Sequence, residues 1–72
     1  MPKHTQLEFL ELTDFTTGKA MLLRRDLIVA VHQHAKDADC TVVCMNVISN
    51  GTTVWYGVRE SVDIIGKKMR PQ

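Results

Sequence analysis

A chain of 72 residues, with hydrophobic residues at 44% and a formal charge of +1 from nine basic and eight acidic side chains, is one small folded unit. That composition excludes a disordered chain, and the near-neutral balance excludes a global field drawing the protein to nucleic acid or to a membrane surface. The polar start Met1-Pro2-Lys3-His4-Thr5-Gln6 leads into no continuous apolar run, so neither a signal peptide nor a membrane helix is expected and a cytoplasmic location follows.

In chain order, residues 1–5 read as a disordered start, and Leu7 to Leu12 as a short first strand. The turn-prone run Thr13-Asp14-Phe15-Thr16-Thr17-Gly18-Lys19 separates it from a brief second strand, Ala20 to Arg24. Leu27 to His34 resumes in β-favouring residues after Arg25-Asp26 and ends at the polar loop Ala35 to Asp39. Cys40 to Ile48 is the strongest strand. Asn50-Gly51 then marks a tight type I′ hairpin, because both residues tolerate positive φ and β-rich segments flank them.

Taking Asn50-Gly51 as the turn pairs Ile48 with Thr53, Val47 with Val54, Asn46 with Trp55, Met45 with Tyr56, Cys44 with Gly57 and Val43 with Val58. Centring the preceding loop on Asp37 pairs His34 with Cys40, His32 with Val42, Val31 with Val43, Ala30 with Cys44 and Val29 with Met45. Both hairpins then place Val29, Val31, Val43, Met45, Val47, Val54, Tyr56 and Val58 on one face, the expected core.

Ser61 reads as the cap of a helix over Val62 to Met69, with Asp63 in its first turn and Lys67, Lys68 and Arg70 toward its end. Val62, Ile65 and Met69 form its apolar stripe, directed at the core face of the sheet, and residues 70–72 form a tail. The expected architecture is α+β: a curled antiparallel sheet of about five strands in one domain, with a C-terminal helix on one face.

The opposite face carries Ala30, Cys44 and Gly57 side by side as a track of small residues, flanked by Asn46, Trp55 and Arg59. Exposed Ile, Val and Trp on such a face point to a second subunit or a protein partner, unless the N-terminal strands curl over it. The two cysteines, four apart on one strand, stand roughly 13 Å from each other and read as reduced thiols.

His32, His34 and Cys40 share that face, and with Asp37 or Asp39 they make a conceivable zinc set. Their spacing matches no zinc motif, so neither metal nor cofactor is expected. Arg24, Arg25, Lys67, Lys68 and Arg70 form a phosphate-contacting patch if they converge, with Trp55 or Tyr56 for base stacking; this is the alternative reading. Gly18-Lys19 is no phosphate-binding loop, because Thr13 and Ala20 stand where Gly and Ser or Thr are required. Ser49 sits in a turn and Ser61 at a cap, and no enzyme is expected.

The segments Gly18-Lys19-Ala20-Met21-Leu22-Leu23 through Asp26-Leu27-Ile28, and Asn50-Gly51 through Val58-Arg59-Glu60-Ser61-Val62, resemble the small FlbD/SwrD-type flagellar proteins. The likeness spans roughly residues 7 to 66 and implies a sheet with a terminal helix and a flagellar role. The chain departs from that pattern in its longer stretch from Asp39 to Asn50 and in Trp55 and Gly57.

Overall fold

The computed structural model describes residues 8–70, so the expectations for residues 1–5 and 71–72 lie outside it, as does Leu7 of the first strand. Five antiparallel strands and one helix follow in chain order: β1 (Phe9–Thr13), β2 (Ala20–Arg24), β3 (Ile28–Gln33), β4 (Thr41–Ser49), β5 (Thr52–Val58) and α1 (Val62–Met69). A short 3-10 turn over Arg25–Leu27 joins β2 to β3. The layout is α+β, as the sequence predicts.

The strands form two sheets, a β1-β2 hairpin and a β3-β4-β5 meander. They meet where the end of β1 reaches the end of β5. Asp14 bridges Val58, the Phe15 N–H donates to the Gly57 carbonyl at 2.9 Å, and the Arg59 N–H donates to the Thr13 carbonyl at 2.9 Å. The sheet curls without closing, leaving β2 and β3 each with one strand neighbour.

Alternation along β1 buries Leu10 and Leu12 while Phe9 and Glu11 face out, the period-2 pattern of a strand with one solvated face. Leu10 pairs with Leu23 of β2, and these leucines join Val43, Met45, Val58 and Ile65 in one core. Each such side chain is worth about 1.5–3 kcal/mol when removed from water. The helix covers this face as expected. Ile65 is fully buried and Met69 packs beside it, whereas Val62 stays 42% exposed. The Ser61 hydroxyl accepts from the Ile64 N–H at 3.2 Å, the capping contact its position predicts.

Asn50 and Gly51 adopt φ of 52° and 81°, the left-handed pair that a type I′ turn requires, and Ile48 faces Thr53 as expected. Farther from the turn the register departs from the simple reading. Cys44 pairs with Trp55, Val43 with Tyr56 and Val42 with Gly57, so four steps along β4, from Cys44 to Ile48, match two along β5, from Trp55 to Thr53. An offset of two residues preserves which face each side chain occupies but changes its cross-strand neighbour.

A second irregularity sits in β3, where Ile28 rather than Val29 faces Met45 and Val29 is the additional residue of a bulge. Three of the expected core residues are therefore exposed: Val29 at 63% in the bulge, Val47 at 38% and Tyr56 at 36%. Val43, Met45 and Val58 are buried, with Val31 and Val54 at the margin.

Candidate functional site: the outer sheet face

The outer face is the side of the meander turned away from Ile65. Alternation places Ala30 and His32 of β3, Val42, Cys44, Asn46 and Ile48 of β4, and Thr53, Trp55 and Gly57 of β5 on it. The bulged β4 brings Trp55, 59% exposed, beside Cys44, with Ala30 on the other flank. The expected continuous track of Ala30, Cys44 and Gly57 is thereby corrected: Gly57 lies beside Val42, one pair farther along, and Trp55 interrupts the line.

One end of this face is covered within the chain. In the β1–β2 turn the Asp14 carboxylate accepts from the Thr17 N–H at 2.8 Å and its hydroxyl at 3.0 Å, contacts that hold the Asp14 carboxyl below its ordinary value. The turn swings Phe15 against Gly57. A Cβ built on Gly57 would stand 3.1 Å from Cys40 Sγ and 3.7 Å from Phe15 Cβ, so glycine suits the close approach of Cys40 rather than any unusual dihedral angle. Cys40 is buried there, and burial followed by the Asp37 charge pushes its thiol up, making it a packing residue.

The rest of the face is open. A shallow groove of about 330 Å³ is lined by His32, His34, Ala35, Val42, Cys44 and Trp55. It adjoins, through His34 and Trp55, a smaller cavity of about 230 Å³ against Phe15 and Gly57. Ile48, 73% exposed, extends the apolar strip toward the hairpin tip. A larger concavity, about 720 Å³, lies elsewhere, lined by Asp37, Asp39, Arg59 and Asp63 near the start of α1.

His34 turns away from metal binding. Its Nδ1 accepts from the N–H groups of Lys36 and Asp37, both at 3.1 Å, which makes it part of the β3–β4 loop. Among the described residues no three of His, Cys, Asp or Glu gather as a metal-holding group, so His32, His34 and Cys40 do not converge. His32 meets Cys44 instead, with Nε2 at 3.9 Å from Sγ.

Of the remaining expected residues, Asn46 is exposed on the face beyond Cys44, whereas Arg59 is drawn to the β1–β2 turn. Its Nε donates to the Phe15 carbonyl at 3.1 Å and its guanidinium lies over Gly18, which holds φ at +75°.

The basic residues are largely engaged. Arg24 pairs with Asp26 at 2.6 Å, while Arg25 pairs with Glu8 and donates to the Met69 carbonyl, thereby capping the C-terminal end of α1. Lys67, Lys68 and Arg70 remain exposed at that end. Phe15 and Glu60, which the sequence reading does not single out, complete the architecture of this region. The Glu60 carboxylate accepts from the Thr13 N–H at 2.8 Å and the Thr13 hydroxyl at 2.9 Å, clamping β1 to the start of the helix.

No family model, curated protein or solved structure matches this chain. No helix among the described residues is long and apolar enough to cross a membrane.

Proposed function

We propose that the protein is a non-enzymatic interaction module that acts by occupancy, pairing its outer sheet face with a second copy or with a protein presenting an apolar surface. The observation that carries this reading is Trp55, 59% exposed in the middle of a strand pair and continuous with Ile48 and the groove over Val42 and Cys44. Tryptophan supplies large contact area at low entropic cost, and aromatic side chains are enriched in the cores of protein interfaces.

Nucleic-acid binding through Arg24, Arg25, Lys67, Lys68 and Arg70 is the weaker reading, because the two arginines already hold carboxylates. The likeness to FlbD/SwrD-type flagellar proteins remains part of the proposal as a likeness of architecture. Its Asn50-Gly51 and Glu60-Ser61 signals serve here as a turn, a clamp and a helix cap, and none lies on the open apolar strip.

The test is sedimentation of the full chain over rising concentration in a chelating buffer. The parent is expected to exceed its 8.2 kDa monomer mass and Trp55→Ser to fall back to it with an unchanged circular dichroism spectrum. Equal masses for the two proteins would sink pairing of this face with a second copy. Gly57 is the wrong position to vary, since a side chain there would press on the buried Cys40 and disturb the fold as well as the face.

A further inference from the structure

The His32–Cys44 pair has the features of half a metal site. The two side chains reach across neighbouring strands on a diagonal, since His32 pairs with Val42 and Cys44 with Ala30. Nε2 and Sγ stand 3.9 Å apart. Tetrahedral zinc, with bonds of about 2.3 Å to sulfur and about 2.0–2.1 Å to nitrogen, separates two such ligands by about 3.6 Å, a difference that side-chain rotation absorbs.

A second observation concerns the far side of the imidazole. His32 Nδ1 lies 3.2 Å from the Gln33 carbonyl, and in the tautomer with its proton on Nδ1 the ring donates to that oxygen. That leaves the Nε2 lone pair directed at Cys44. A backbone carbonyl behind the ring is the arrangement that orients ligating histidines in metal sites.

The pair opens into the groove beside Trp55, and among the described residues no third ligand joins it. Structural zinc takes four ligands, so two per protomer are completed by the same two from a partner related by a twofold axis.

We propose that His32 and Cys44 form a zinc half-site, and that one zinc ion joins two copies of the chain as a Cys2His2 centre. The inference rests on the outer face being the pairing surface. On binding, each Cys44 thiol gives its proton to solvent as its Zn–S bond forms, each His32 Nε2 donates its lone pair, and no oxidation state changes. Ala30, the small neighbour of Cys44 on β3, leaves room for the second copy, and Trp55 flanks Cys44 on β5.

The experiment titrates zinc into the full chain under a thiol reductant, reading stoichiometry by calorimetry and mass by light scattering, with cobalt as a spectroscopic substitute. One zinc per two chains is expected, together with at least a tenfold fall in the concentration needed for dimerisation and cobalt bands of tetrahedral thiolate ligation. Cys44→Ser and His32→Ala should abolish all three; Cys40→Ser should retain them.

Zinc bound at one per chain with unchanged mass would overturn the proposal, as would zinc-driven dimerisation that survives Cys44→Ser. A dimer that persists in chelator and ignores zinc would overturn the metal site and leave the pairing surface standing. A monomer under every condition would remove both the metal site and self-pairing through this face.

Discussion

Replacing Ile65 by alanine is expected to cost about 2–5 kcal/mol, the range for truncating a buried isoleucine whose surroundings collapse only in part. Ile65 is fully buried, and it belongs to the one cluster that unites Leu10 and Leu12 of β1, Leu23 of β2, Val43 and Met45 of β4 and Val58 of β5. The helix therefore holds both sheets through this residue. A domain of this size sits near the lower end of the usual 5–15 kcal/mol, so the loss approaches its whole stability. The adjacent Ile64, 46% exposed, supplies the control. Ile64→Ala should stay within about 0.5 kcal/mol of the parent. Denaturant midpoints measured for the three proteins read the contrast directly, and similar losses for both variants would contradict this packing.

Removing the Glu60 carboxylate is the second large effect. Glu60→Ala is expected to cost about 1.5–3 kcal/mol, the range for hydrogen bonds to a charged group, because it strips both acceptors from Thr13 where β1 meets the start of α1. Burial pushes the Glu60 carboxyl up, but the Thr13 N–H and hydroxyl, with the Lys68 charge, outweigh it and leave the group below its ordinary value of 4.5. A carboxyl whose pKa is lower in the folded chain binds fewer protons there than in the unfolded chain. Its contribution is thus fully present above the ordinary value and disappears as the pH falls through the folded one. Stability measured against pH should accordingly decline less steeply below about 4.5 in Glu60→Ala than in the parent. Parallel curves would show that the clamp carries no weight.

Local chemistry was legible where one or two residues dictate geometry. Asn50-Gly51 announces its turn through positive φ, Ser61 announces its cap, and the charge order from Asp63 to Lys67 and Lys68 agrees with the helix direction. The two bulges were not legible, because nothing in Ile28-Val29 or in the stretch Met45-Asn46-Val47 marks the additional residues. Their consequence is large, since they expose Val29 and carry Trp55 from Asn46 to Cys44. Phe15 reads as a turn residue until the curl of the sheet sets it on Gly57, and Glu60 meets Thr13 from 47 positions away. In the sequence, a shared face near the loop groups His32 with His34 and Cys40, whereas the loop claims the His34 Nδ1 and the diagonal across β3 and β4 gives His32 to Cys44.

The most direct measurement is a concentration series of backbone amide chemical shifts for the full chain in chelating buffer. Association through the outer face predicts shifts that move together at Ala30, His32, Cys44, Ile48 and Trp55 as the protein is concentrated, with Lys67, Lys68 and Arg70 unmoved. Spectra independent of concentration, or movement confined to the helix end, would contradict it.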